Sequence, residues 1–142
     1  MTLPEENFGF LLADASRLMR RAFERQISGT SLTLSQARAL AHVSRHEGCR
    51  QVELAEQLEV RPITLARLLD QLEQAGLVER RPDPDDRRAY RLYLRAEADH
   101  ALADIRAAGD AMVAEALQGI SEQEKAALTS ALRKMRANLS SH

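Results

Sequence analysis

The sequence predicts a mostly α-helical fold carrying one small β-hairpin. Three observations point there. Apolar residues recur at three and four positions through most of the 142 residues. Two helical stretches, the first short, are separated by only a few residues. Directly after them, a glycine leads into two short alternating segments around a turn rich in aspartate, proline and arginine.

Taken in order, Phe8, Leu11, Leu12, Ala15, Leu18, Met19, Ala22, Phe23 and Ile27 make a long amphipathic helix that ends near Ser28-Gly29. Thr33 and Gln36 are spaced as a capping box for a second helix, with Ala37, Leu40, Ala41 and Val43 inside and Gly48 as its stop. A short helix follows around Val52, Leu54, Ala55 and Leu58, and Val60 lies in the connection. Pro62 suits the first turn of the next helix, where its missing amide hydrogen would have had no partner. That helix buries Leu65, Leu68, Leu69 and Leu72 and closes at Gly76, a left-handed cap. A short helix and a longer one so joined are a helix-turn-helix.

Residues 77–81 are too short for another helix and read as a strand. In the return strand, Tyr90, Leu92 and Leu94 are expected to face the core, with Arg91, Tyr93 and Arg95 toward solvent. Leu102, Ile105, Gly109, Met112 and Ala116 then line a helix that breaks at Gly119. Ser121 and Glu124 form a second capping box, opening a helix whose Leu128, Leu132, Met135 and Leu139 repeat at four and three residues. The apolar stripes at the two ends exceed what so small a core needs. They suggest a partner helix, most simply that of a second copy, against the alternative that the two ends only pack on each other.

Composition narrows the function. With 44% hydrophobic and 29% charged residues the chain suits one soluble domain. No apolar run approaches the ~20 residues that span a bilayer, and the start MTLPEENFGF has no basic leader, so a cytoplasmic protein without membrane contact is expected. The single cysteine, Cys49, agrees with a reducing compartment. Net charge is −1, but residues 61–95 hold 8 basic against 6 acidic side chains, and all eight are arginine, the side chain suited to bidentate contact with guanine or phosphate. His42, His46 and Cys49 are spaced suggestively for a metal, yet Gly48 interrupts the helix and no fourth ligand is fixed, so neither metal nor cofactor is expected. No phosphate loop, nucleophile elbow or zinc-protease motif is present, and no enzyme is expected.

Residues 33–94 resemble the MarR family of bacterial transcriptional regulators. The likeness rests on Leu54-Ala55-Glu56-Gln57-Leu58, on Arg67-Leu68-Leu69-Asp70-Gln71-Leu72-Glu73, on Gly76-Leu77-Val78-Glu79-Arg80 and on Asp83-Pro84-Asp85-Asp86-Arg87-Arg88, in that order. Flanking helices extend it over nearly the whole chain. Leu94-Arg95 departs from the usual leucine-threonine, and Ala98 stands in place of a usual glycine.

The resemblance implies a winged helix-turn-helix with N- and C-terminal dimerisation helices. It divides the single domain into a DNA-binding lobe over 33–95 and helical dimerisation regions over 1–30 and 96–142. It further implies a homodimer, one winged module per half of a palindromic operator in double-stranded DNA, acting as a repressor. A small aromatic or phenolic acid would be the effector, with Arg17, Arg20, Arg21, Arg38 and Arg45 as candidate partners of such an anion.

Arg61, Pro62 and Thr64 lie at the groove-entering end of the recognition helix, Arg67 matches the position of a base-contacting arginine, and Gln71 is a further candidate. In the wing, Asp86 is expected to tie the turn by a local ion pair, Arg88 to enter the minor groove, and Arg87 to lie between them. Asp83 and Asp85 are expected to bend the loop. The alternative reading is a winged-helix module for protein contact that does not read DNA.

Overall fold

The computed structural model describes residues 7–141, so residues 1–6, on which the reading of the start partly rests, and residue 142 lie outside the described residues. Six helices and one antiparallel hairpin follow in the order α1 (Phe8–Ile27), α2 (Leu34–Arg45), α3 (Gln51–Leu58), α4 (Pro62–Gln74), β1 (Val78–Asp83), β2 (Asp86–Leu94), α5 (Asp99–Ala116) and α6 (Glu122–Leu139). A single 3-10 turn, Ala96–Ala98, leads into α5. This is the mostly α winged helix-turn-helix expected of the sequence.

Local chemistry sets the ends. Both capping boxes form: Thr33 and Gln36 exchange backbone-to-side-chain bonds of 3.0 and 3.1 Å, and Ser121 and Glu124 do so at 3.1 Å each way. Pro62 opens α4, and Gly76 stands past its end at φ +75. Helix α2 stops at Arg45, earlier than Gly48, because the chain then turns to run beside β2. There Gly48 (φ +87) donates its N–H to the Leu92 carbonyl at 2.8 Å, and Leu92 donates to the Cys49 carbonyl at 2.9 Å. The turn of the helix-turn-helix passes through Glu59 in the left-handed region at φ +55, a conformation that costs a side-chain-bearing residue about 1 kcal/mol.

One core joins these elements. Ile27 of α1, Ala37, Leu40 and Val43 of α2, Leu54 and Leu58 of α3, Leu65, Leu69 and Leu72 of α4, and Val78 and Leu92 of the hairpin are all buried together. Helix α5 enters the same core through Ala101, Ile105 and Ala108. Each fully buried leucine here contributes about 1.5–3 kcal/mol by leaving water. Leu68, expected inside, is half-buried at the edge of this cluster. Helix α6 has no buried residue at all, and α1 buries only Ala22 and Ile27.

Candidate nucleic-acid interface

Helix α4 has two faces of opposite character. Leu65, Leu69 and Leu72 are wholly buried, which locks the helix against α2, α3 and β1. Arg61, Pro62, Thr64, Arg67 and Gln71 are all exposed on the remaining surface, as the spacing predicts. Thr64, Arg67 and Gln71 border a shallow cleft whose other wall is Thr33, Ser35 and Arg38 of α2. Burial first, then the charge of Arg20, holds the Arg38 guanidinium below its usual pKa.

The arginines of residues 61–95 divide into two kinds. Arg80 is bound: it pairs with Glu73 at 2.5 Å and with Asp70, so it fastens the base of the hairpin to α4. Arg81 stacks 3.9 Å over the Tyr93 ring and pairs with Glu79 at 3.2 Å. Arg91 points inward to Asp83 at 3.1 Å and donates to the Gly48 carbonyl at 2.8 Å. Arg61, Arg67, Arg87 and Arg88, by contrast, are exposed, and none pairs with a carboxylate among the described residues. Their charge is therefore free for an external anion.

Asp83 is the residue that sequence reasoning misjudged. It bends the loop as expected, accepting the Asp85 N–H at 2.8 Å, but it is also 3% exposed and clamped by two guanidiniums. Arg50, from the N-terminus of α3, reaches it at 2.8 Å, and Arg91 reaches it from β2. The Asp85 hydrogen bond, and then the two arginine charges, hold its carboxyl below the usual aspartate range. The clamp joins the wing to the helix-turn-helix, and no spacing rule connects residue 50 to residue 83.

Three further expectations need correction. Asp86 makes no ion pair among the described residues; its carboxylate accepts the backbone N–H of Arg88 at 3.0 Å, so it shapes the turn through the main chain. Tyr90 is 46% exposed, because it pairs with Pro82 near the tip, beyond the reach of the core that covers Leu92. Arg91 and Tyr93 are half-buried, one drawn in by Asp83 and the other covered by Arg81. The register shifts between Pro82 and Asp83, so that Pro82 faces Tyr90 while Asp83 faces Asp86. Arg87, Arg88 and Ala89 are left without partners on β1, and the strand bulges where its two free arginines stand.

The other constellations are quiet. Among the described residues no group of three His, Cys, Asp or Glu side chains is arranged to hold a metal. Burial and the nearby Glu53 raise the Cys49 thiol, away from the reactive thiolate. Among the described residues no helix is long and apolar enough to cross a membrane.

A second surface lies on the far side of the lobe. Leu18 and Met19 of α1, Val113 of α5 with Leu117 just past its end, and Leu128 and Leu132 of α6 line an apolar groove of about 560 Å³. Leu18, Leu128 and Leu132 of the predicted stripes are 40–51% exposed, and Val113, which the sequence reading did not name, is 42% exposed beside them.

The MarR family pattern matches residues 32–90, the whole of the helix-turn-helix and most of the wing. A transcriptional regulator titled PA3341 is 39% identical, with 96% of this chain and 100% of that one covered and a TM-score of 0.82. The apo form of MarR from E. coli is 25% identical over 95% of this chain and 98% of its own, at a TM-score of 0.78. The transcriptional regulator SlyA is 26% identical over 96% of both chains, at 0.76. Fold, motif order and whole-length identity agree: this chain belongs to the MarR family, whose members are DNA-binding transcriptional regulators.

Proposed function

We propose that the protein is a ligand-responsive repressor that binds a palindromic operator as a homodimer. The observation that carries this reading is the segregation of arginines: those that build the fold are paired, while Arg61, Arg67, Arg87 and Arg88, on α4 and its cap and on the wing tip, have no carboxylate partner among the described residues. In this reading α4 enters the major groove, Arg67 contacts a base edge, and Arg61, Pro62, Thr64 and Gln71 surround it. Arg88 engages the adjacent minor groove with Arg87 beside it, and Asp86 fixes the turn that presents them.

Residues 33–95 form the DNA-binding lobe, and residues 1–30 and 96–142 the dimerisation region. A second copy covers the groove between α1, α5 and α6. Two lobes then present their α4 helices at the ~34 Å that matches one DNA turn. A small aromatic or phenolic acid would act by changing that spacing. Of the five arginines considered for it, Arg38 has the best surroundings, since Thr33, Ser35 and Arg67 line the same cleft. Arg17 is already engaged with Asp14 at 3.7 Å.

The test is selection of preferred duplexes from a random library by the purified protein. A two-fold symmetric consensus supports the reading. Equal recovery of all sequences near physiological salt would favour the winged-helix module that contacts protein instead.

A further inference from the structure

Among the described residues, the large apolar side chains that remain exposed fall into two groups. Ten lie on α1, α5 and α6, the helices around the apolar groove. The other three are Val52, Ile63 and Tyr90, all within the lobe that carries the unpaired arginines. Ile63 is the most exposed of the three, at 63%. It occupies the second position of α4, and steps of four residues from it reach Arg67 and Gln71. All three are exposed, with the buried Leu65, Leu69 and Leu72 on the other side. Ile63 therefore stands in the same row as the arginine proposed to read a base, one turn nearer the end of the helix that enters the groove.

An isoleucine there can neither donate nor accept a hydrogen bond. Of the groups on base edges in the major groove, only the C5-methyl of thymine is apolar. Arg61 on one side and Arg67 on the other would hold the backbone and a neighbouring base, bringing the isoleucine against the base edges between them. We infer that Ile63 is a specificity-determining residue that reads thymine through its C5-methyl. This rests on the proposal that α4 lies in the major groove. The stiffness of a β-branched side chain favours the role, since little rotamer freedom is lost on contact.

The experiment uses the full chain and a duplex obtained from the random-library selection, made once with thymine and once with deoxyuridine, which lacks only the methyl. Burial of one methyl is worth roughly fourfold in affinity, so two half-sites give about fifteenfold. The wild type should bind the uracil duplex weaker by about that factor. Ile63→Ala should bind both duplexes alike, and Ile63→Val should keep part of the preference. Thermal unfolding of both variants should match the wild type, since an exposed side chain is changed. Indifference of the wild type to the methyls, or a thymine preference that survives in Ile63→Ala, overturns the inference while leaving the regulator reading intact. Failure to select any preferred duplex overturns the regulator reading and this inference together.

Discussion

Arg88 and Arg91 stand three residues apart on β2, yet their surroundings predict different consequences on removal. Arg88 is exposed and has no carboxylate partner among the described residues, so its charge is available to a phosphate. Arg91 is two-thirds buried, pairs with Asp83 at 3.1 Å and donates to the Gly48 carbonyl at 2.8 Å. In a two-fold complex Arg88→Ala removes two phosphate contacts. At ~0.9 per phosphate, the slope of log affinity against log salt should become shallower by about 1.8. Over a fourfold rise in salt, that is a loss of affinity about twelvefold smaller than the wild type suffers. Fluorescence polarisation with the selected duplex at several salt concentrations measures it directly.

Urea unfolding supplies the contrast. Arg88→Ala should stay within about 0.5 kcal/mol of the wild type. Arg91→Ala loses a charge-assisted pair and a hydrogen bond, discounted for partial exposure, and should cost about 1–2 kcal/mol. An unchanged salt slope for Arg88→Ala would remove the wing from the phosphate contacts. Equal destabilisation by the two substitutions would refute the division of arginines into free and structural.

Other perturbations probe the remaining parts. Arg67→Ala should flatten the preference for the selected duplex over random DNA by roughly tenfold to a hundredfold, the worth of one good base contact, and retention of full preference in a competition assay would sink its role. The Asp83 carboxyl is held low in the folded state, so its stabilisation is complete above the unfolded value of about 4 and disappears as pH falls through the lower folded value. Asp83→Asn should therefore lower the urea midpoint at neutral pH and make its decline on acidification shallower; an acid limb parallel to the wild type would show that another carboxylate carries it. Leu132→Glu, in the groove between α1, α5 and α6, should give a monomer in sedimentation with wild-type helicity per residue, whereas a persistent dimer would place the partner elsewhere.

Periodicity made the helices legible, because apolar stripes and capping pairs such as Thr33 with Gln36 act within one or two turns. The exposed face of α4 was equally readable: once Leu65, Leu69 and Leu72 are inside, Arg67 and Gln71 must be outside. What sequence could not supply were contacts across long separations. Arg50 meets Asp83 only because residues 48–50 run beside β2, and that pairing has no local signature. The same gap misdirected the wing, where Asp86 was the natural choice for an ion pair by proximity. Glu59 illustrates the opposite limit, since a left-handed turn residue without glycine or asparagine leaves no mark in the sequence.

Helix α5 ties the two surfaces together. Ala101, Ile105 and Ala108 make it part of the core that positions α4, while Met112 and Val113 toward its far end border the apolar groove. The Arg25–Glu115 pair at 2.8 Å joins α1 to that far end, although both side chains are more than half exposed and the pair is worth only about 0–1 kcal/mol. An interior packed at crystal-like density transmits strain, so a tilt of α5 at the groove would be felt in the core that positions α4. With the wing clamped to α3 through Asp83 and to α4 through Arg80, the hairpin and α4 would move together. Regulation in such an architecture does not require a flexible reading head. In the proposed dimer it requires only that a ligand favour one α1–α5 packing over another, and the distance between the two α4 helices would then follow.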